Sequence, residues 1–287
     1  ISVAMCTFNG GQYLVEQLAS ILKQVRLPDE VVICDDGSHD NTLNILQAFS
    51  CQAPFGTHIH CNKTTLGSTK NFEKAIRLCS GDIIALSDQD DVWHPQKLAR
   101  IEHVFLHSPE IGGVFTNADV VDQNLHSFGF SLWDVVPFSK KEQTLVQKGM
   151  ALDILLKHMC VTGATLAFRS SWKDKLIPVP SFWMHDAWIA LNLAVFSNLS
   201  IIQEKLIQYR QHGKNQIGGM PKGIGFRIRE TLSMDRKFYY AGDIERYQAA
   251  YDHFGKWFSP DHETMKKLSS KINHLQTRSR LPAQRVL

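Results

Sequence analysis

Three aspartates, Asp88, Asp90 and Asp91, stand directly after the apolar run Ile83-Ile84-Ala85-Leu86. A short branched run of that kind reads as a buried strand, and in an open α/β sheet ligands bind beyond the carboxyl ends of the strands. Carboxylates gathered there suit a hard divalent cation, which takes oxygen ligands. They equally suit a solvated turn before a helix, where negative charge is favoured, and Pro95 with Lys97, Leu98 and Ile101 predicts a helix there. A second pair, Asp35 and Asp36, follows Val31-Val32-Ile33 and enters the turn Gly37-Ser38-His39-Asp40. An ionised carboxylate is acceptor-only, so one of this pair can receive the N–H edge of a pyrimidine base. Ser38 or Asp40 fits the cap of the next helix, and capping is the role assigned to Asp40. A third acid, Asp186, lies in Phe182-Trp183-Met184-His185-Asp186-Ala187-Trp188. It suits a carboxylate on an aromatic sugar platform, or a plain charge at a helix start, and Trp188 reads as core. No G-x-G-x-x-G or Walker loop is present, so a bound diphosphate would need a metal to neutralise it.

The elements that must position these acids alternate. Ile1 to Met5 predicts a strand running into the turn Thr7-Phe8-Asn9-Gly10, followed by a helix carrying Tyr13, Leu14, Leu18, Ile21 and Leu22 that Pro28 ends. The strand at Val31 to Ile33 leads to a helix with Leu43, Ile45, Leu46 and Phe49. A short strand at Ile59, a helix around Phe72 to Leu78, the strand at Ile83, a helix from Pro95 to His107 and a strand at Val114 to Asn117 follow. Short buried strands alternating with helices imply right-handed βαβ units and a mainly parallel sheet. Val161 to Phe168 reads as a turn and a further strand.

A chain of 287 residues that is 44% hydrophobic buries a sizeable core, as one α/β domain or a domain with an appendage. Its formal net charge of +3 is mild and no basic run interleaved with aromatics occurs, which argues against a nucleic-acid partner. No window reaches the roughly 18 uninterrupted apolar residues of a spanning helix, and the start shows no signal-peptide pattern, so a soluble or peripheral protein is expected. The chain opens at Ile1 inside an apolar run without a Met, which implies residues upstream. The six cysteines show no C-x-x-C spacing and read as free thiols in a reducing cytoplasm. Cys51, His58, His60 and Cys61 match no common zinc module. After Gly218-Gly219, residues 222–287 are Lys/Arg-rich and helical in pattern, with aromatics from Phe226 through Phe238 and Tyr239 to Phe258. Such helices pack on the catalytic domain or on a second subunit, or lie on an anionic membrane.

The ordered series Ser2-Val3-Ala4-Met5-Cys6-Thr7-Phe8-Asn9, Asp35-Asp36-Gly37-Ser38-His39-Asp40, and Gly81-Asp82 leading to Asp88-Gln89-Asp90-Asp91-Val92-Trp93-His94-Pro95 resembles glycosyltransferase family 2. His185-Asp186 is similar to the family's acidic catalytic pair, where Glu-Asp is commoner, and Tyr209-Arg210-Gln211-His212-Gly213 with Asn215 resembles its bacterial rhamnosyltransferase-like members. The resemblance implies a GT-A fold: a mainly parallel, Rossmann-like sheet flanked by helices. Residues 1–220 would form the glycosyltransferase domain, 1–120 its nucleotide-sugar half and 121–220 its acceptor half, and 221–287 a C-terminal helical extension. Carried over position by position, Cys6, Asp35 and Asp36 would lie at the base, with Gly67, Lys70 and Asn71 also at the nucleotide. Asp88 and Asp90 would form the D-x-D pair, Asp90 contacting the metal with Asp88 and His212 completing its shell. Mn²⁺ or Mg²⁺ is implied, and a histidine ligand suits Mn²⁺ better.

Asp186 would then be the catalytic base of a metal-dependent inverting transferase. The processive Gln-x-x-Arg-Trp signature is absent, which implies transfer of a single sugar. The implied partners are dTDP-rhamnose or a UDP-sugar, and a saccharide or lipid-linked saccharide acceptor in surface polysaccharide synthesis. The implied location is cytoplasmic or peripheral on the inner membrane face, with membrane contact or a homodimer through the C-terminal helices. Two other readings stay open. Asp88-Gln89-Asp90-Asp91-Val92 also resembles the nucleophile motif of haloacid-dehalogenase-type phosphatases, with Asp88 as nucleophile. The departure at His185 also fits a non-catalytic module that binds a sugar nucleotide or carbohydrate.

Overall fold

The computed structural model describes residues 1–212 and 236–281, without the side chains of 236–239. Gly213, Asn215, Phe226, the side chains of Phe238 and Tyr239, and the expected boundary at 220 lie outside the described residues. Contacts divide the described chain into two units, one of residues 1–155 and 159–212, the other of 156–158 and 236–281.

The first unit opens with β1 (Ser2–Thr7), α1 (Leu14–Leu22), β2 (Glu30–Asp35), α2 (Thr42–Gln52), β3 (Gly56–Cys61), α3 (Ser68–Leu78) and β4 (Ile83–Ser87). β1 pairs in parallel with both β2 and β4, and β2 in parallel with β3. Side chains alternate across a strand, and the alternation here divides the core in two. Val3, Met5, Val31 and Ile33 face α1 and α2 through Leu14, Leu18, Ile21, Leu46 and Phe49. Ala4, Cys6, Val32, Cys34, Ile84 and Leu86 face Phe72, Ala75 and Ile76 of α3. Leu14, Leu18 and Ile21 recur at i, i+4 and i+7, the spacing that puts one helical face on a sheet, and burying each contributes about 1.5–3 kcal/mol.

Beyond β4 the sheet turns mixed. β5 (Val92–Trp93), α4 (Lys97–His107), β6 (Ile111–Val121), β7 (Ser127–Ser131), β8 (Leu166–Arg169), a helix at His185–Phe196 and β9 (Asn198–Arg210) complete the frame that carries the site. The strand order is β3-β2-β1-β4-β8-β6-β9-β5, with β7 paired to β6. β8 runs antiparallel to both neighbours, and β5 antiparallel to β9. The helix expected to open at Pro95 opens at Lys97 instead. Pairing of Val92–Trp93 with β9, extended by His94 N–H donating to Leu206 O at 3.0 Å, keeps the chain straight, and the Lys97 amide closes a turn on His94 O at 3.0 Å. The strand expected at Val114 to Asn117 runs from Ile111 to Val121, because β9 pairs along its whole length.

The second unit holds two long helices, Arg236–Phe254 and Glu263–Arg280, which pack on each other. Met265, Leu268, Ile272 and Leu275 form a buried stripe at helical spacing. No described helix is long and apolar enough to cross a membrane.

Candidate active site

The carboxyl ends of β1, β2 and β4 and the start of the helix at His185 open on one cleft of about 390 Å³. Cys6, Asp36, Gly67, Asn71, Asp88, Asp90 and Asp186 all line it, together with Phe8, Gln89, Gly163, His185 and Tyr209. Three of the acid positions come from the first hundred residues and the fourth from residue 186, so the fold joins what the sequence separates.

At the β2 end, Asp35 and Asp36 take different tasks. Asp35 is fully buried and stays out of the cleft lining. Its oxygens accept from Thr7 Oγ1 at 2.8 Å, Ser38 Oγ at 2.6 Å, and the amides of Gly37 at 3.1 Å and Ser38 at 2.8 Å. It therefore knits the turn together, away from the position by the base that the resemblance implies. Asp36 faces the cleft and accepts from Asn62 Nδ2 at 2.8 Å, the Leu66 amide at 2.7 Å and the Gly67 amide at 2.9 Å. Gly67, at φ +81°, reaches this carboxylate in a backbone region that side chains disfavour. Asn71 donates to Cys34 O at 2.7 Å. Lys70 lies outside the cleft lining, its Nζ 2.6 Å from Val179 O and 2.8 Å from Glu73 Oε2. There it ties α3 to the segment leading into Asp186. Burial, then Cys34, Asp88 and Asp36, pushes the Cys6 thiol well above its ordinary value, which keeps it protonated and non-nucleophilic.

The β4 end is built in the opposite way. Burial first, then Asp90 and Asp186, pushes the Asp88 carboxyl up to about 7, with Lys97 opposing. Asp90 Oδ2 lies 2.9 Å from His212 Nε2, and the His212 ring stacks on Tyr13 with centroids 4.7 Å apart. Asp91 turns inward and is 1% exposed; its Oδ1 accepts the Arg210 amide at 3.1 Å and its Oδ2 has no hydrogen-bond partner. Beside it Lys97 is wholly buried, donating to Ala164 O at 2.8 Å with Nζ 3.5 Å from the Trp93 ring centroid. Burial drives both toward neutrality, Asp91 upward and Lys97 downward.

Asp186 accepts from the Gly163 amide at 3.0 Å and the Ala187 amide at 2.7 Å, which aims the carboxylate from the first turn of its helix. Trp183 and Trp188 are buried against each other, centroids 5.6 Å apart, outside the cleft lining. They are core, and the aromatic lining of the cleft comes from Phe8, Phe72 and Tyr209.

Sequence reasoning gave no task to Arg210, Gln89 or Tyr209. Arg210, 1% exposed, donates from Nε to Asp90 O at 2.7 Å, from Nη1 to Gln123 O and from Nη2 to Glu16, so it locks the acid loop to β9 and α1. Gln89 exchanges two hydrogen bonds with the Phe8 backbone, at 2.8 and 3.1 Å, and joins the β1 and β4 ends. Tyr209 keeps its proton, because burial and then Asp91, Asp88, Asp90 and Asp186 push its phenol well above the ordinary value.

Among the described residues no three His, Cys, Asp or Glu side chains stand ready as a metal-holding group. That covers Asp88, Asp90 and His212, and also Cys51, His58, His60 and Cys61. The chemistry of the donor set nevertheless fits a divalent cation. Four carboxylates, Asp36, Asp88, Asp90 and Asp186, line the cleft, and no lysine or arginine is among its described lining residues.

Comparison with known proteins agrees with this geometry. The family model for glycosyl transferase family 2 matches residues 2–173. A dTDP-rhamnosyl transferase of Shigella flexneri is 27% identical over 84% of this chain and 82% of its own length. An uncharacterized glycosyltransferase of Nostoc is 30% identical over 75% of this chain, which spans 66% of that relative's length. Staphylococcus aureus TarS 1–349 in complex with UDP-GlcNAc superposes with a TM-score of 0.63 at 18% identity, covering 96% of this chain and 71% of that one. A Pyrobaculum calidifontis mannosyltransferase in complex with GDP-Man and Mn²⁺ gives a TM-score of 0.55 at 16% identity, covering 98% and 76%. These likenesses show a GT-A fold, the mostly parallel sheet flanked by helices described above. The chain belongs to glycosyl transferase family 2.

Proposed function

We propose that the protein moves a single sugar from a nucleoside-diphosphate donor to a hydroxyl of a saccharide or lipid-linked saccharide, inverting the anomeric centre. The observation that carries this reading is the cleft itself: four aspartates from three chain segments, with no described cationic side chain in its lining. A pyrophosphate enters such a cleft only with a cation. Asp90, Asp88 and His212 would hold Mn²⁺ or Mg²⁺, which when bound offsets the negative charge growing on the departing diphosphate. The Shigella relative makes dTDP-rhamnose the first donor to try, and UDP-sugars stand second on the TarS complex. Lipid-linked acceptors would place the reaction in the cytoplasm, at the inner membrane face, in surface polysaccharide synthesis.

The chain's own residues supply the remaining steps. Asp36 already accepts three hydrogen bonds, and a carboxylate has about four lone-pair sites, so one site is left for the N–H of a base. Asp186, aimed by the Gly163 and Ala187 amides, takes the proton of the acceptor hydroxyl. The freed oxygen forms the new bond to the anomeric carbon from the face opposite the leaving group. The bond to the diphosphate oxygen breaks, and its electron pair leaves with the nucleoside diphosphate. One displacement inverts the centre. This assigns the single carboxylate at 186 and the acids at 88 and 90 to different jobs, which the phosphatase and binding-module readings do not.

Asp186→Asn should slow transfer by about 10² to 10⁴, the span of a general base, while the Kd for the nucleoside diphosphate stays within about twofold by calorimetry. Unchanged turnover in that variant removes Asp186 from the role. A thermal-shift panel of dTDP-rhamnose, UDP-sugars and GDP-mannose with Mn²⁺ and Mg²⁺ identifies the donor.

A further inference from the structure

Tyr209 lines the cleft, and the reaction proposed above leaves it without a task. The strand that carries it fixes its place. In β9 it pairs with Val120 of β6, and the next residue, Arg210, is tied to the acid loop through its amide, 3.1 Å from Asp91 Oδ1, and its Nε, 2.7 Å from Asp90 O. The Tyr209 ring packs on the hydrophobic core, while the residue as a whole stays partly exposed. Its hydroxyl makes no hydrogen bond to a described residue, and it is not sealed away: the enclosed side-chain polar atoms without a partner belong to Thr57, Asp91 and His185. Other donors in the same lining are committed to the protein. Thr7 Oγ1 donates to Asp35, Thr65 Oγ1 to Asp36 O, Asn71 Nδ2 to Cys34 O and Gln89 Nε2 to Phe8 O.

The chemistry of a phenol narrows what meets it. Burial, and then Asp91, Asp88, Asp90 and Asp186, hold the proton on its oxygen, so Tyr209 offers the cleft a neutral O–H donor. The acids that act on it most are those of the β4 end, where a diphosphate and its cation would lie. A pyrophosphate offers acceptors only, and a hydrogen bond to a charged acceptor is the stronger kind. We propose that Tyr209 is a catalytic residue that donates its hydroxyl hydrogen to an oxygen of the donor's sugar-linked phosphate. The phenol keeps its proton throughout, and its hydrogen bond strengthens as negative charge grows on the departing diphosphate. The proposal deepens the glycosyl-transfer reading above and rests on it.

The test uses the full chain with Mn²⁺ and the variant Tyr209→Phe, which removes one oxygen and leaves the packed ring. Calorimetry compares dTDP with dTMP and UDP with UMP, the monophosphates by displacement, so that each pair differs by the phosphate in question. Tyr209→Phe should bind the diphosphate about tenfold to a hundredfold more weakly, the loss of a hydrogen bond to a charged group. The loss should be smaller for dTDP-rhamnose or UDP-N-acetylglucosamine, whose sugar-linked phosphate carries less charge. Affinity for the monophosphate, affinity for Mn²⁺ alone and the melting temperature should match the wild type, which a packing role or a role in holding the metal would not allow. Unchanged diphosphate affinity in Tyr209→Phe overturns the assignment. An equal loss for monophosphate and diphosphate overturns it too, as does a loss confined to the nucleotide sugars, which would put the hydroxyl on the sugar. Wild-type protein that binds neither dTDP nor UDP removes the glycosyl-transfer reading and this proposal with it, whereas nucleotide binding with an unaltered variant removes this proposal alone.

Discussion

Two acid-bearing strand ends flank β1, one on β2 and one on β4, and they are built on opposite principles. At the β2 end Asp35 accepts four hydrogen bonds and Asp36 three, all from the protein's own amides, hydroxyls and one Asn side chain. At the β4 end the acids face one another: Asp88 is pushed up to about 7 by burial, Asp90 and Asp186, and Asp91 Oδ2 has no partner. Residue type and sheet position are the same at both. What differs is the supply of N–H and O–H donors, and it decides whether a carboxylate is spent on the fold or left over for a ligand.

The largest effect should come from the unspent end. Asp90→Ala, or chelation of the wild type with EDTA, should lower transfer by about 10³, the scale of losing charge stabilisation at a departing group. The melting temperature of Asp90→Ala should stay within a few degrees of wild type, because removing one member of a crowded acid cluster relieves repulsion as it loses contacts. Turnover and melting measured side by side decide the matter. A collapse in melting temperature with proportionate activity per folded molecule would erase the contrast between the two ends.

Asp35→Ala should show the reverse. Removing that carboxylate strands Thr7 Oγ1 and the amides of Gly37 and Ser38 at a buried site, and we expect about 3 kcal/mol of lost stability in urea unfolding. A destabilisation under about 1 kcal/mol would show that water replaces the carboxylate, and that the β2 end is less committed than its hydrogen bonds imply.

Next in size is the response to metal. Mn²⁺ at about 100 times its Kd stabilises a folded protein by about 2.7 kcal/mol, and the thermal shift should vanish in Asp90→Ala and in His212→Ala. The same shift surviving in both variants would move the cation away from the β4 end.

How much of this was legible beforehand follows the same division between local and distant pairing. The strands at Val3, Val31 and Ile84 carry their own continuous apolar signal, and the acids that end them are visible in sequence, so the parallel half of the sheet and most of the cleft were readable. Val92–Trp93 has no such signal, since two residues become a strand only through Ile207–Gln208 of β9, more than a hundred positions on. Asp35 and Asp36 look alike in sequence, and only the pairing of β1 with β2, which brings Thr7 beside Asp35, separates scaffold from cleft. Nothing in the sequence around Arg210 or Lys97 marks either as buried. They are buried because the acid loop folds over them, which no local pattern announces.

The smallest effect tests whether the donor-rich end extends past Asp36. Asp40 is exposed, yet its Oδ1 accepts the Thr42 amide at 3.0 Å and the Thr42 hydroxyl, while its Oδ2 accepts the Gly11 amide at 2.9 Å. The N-cap position of α2 is Asn41, not the expected Asp40; one residue earlier, Asp40 takes the first amide of α2 and joins it to the loop after β1, and against a desolvation cost these bonds hold its carboxyl below the ordinary value. Asp40→Ala should cost about 1 kcal/mol, the usual value of a helix cap, with Kd for the nucleoside diphosphate unchanged. Asp40→Ser should recover part of it, because a hydroxyl still reaches the α2 amide but cannot also hold Gly11. Should Asp40→Ala instead weaken nucleotide binding tenfold at unchanged stability, the β2 end would be recruiting ligand through a residue whose hydrogen bonds to Gly11 and Thr42 serve the fold, and donor supply would no longer tell the two kinds of acid apart.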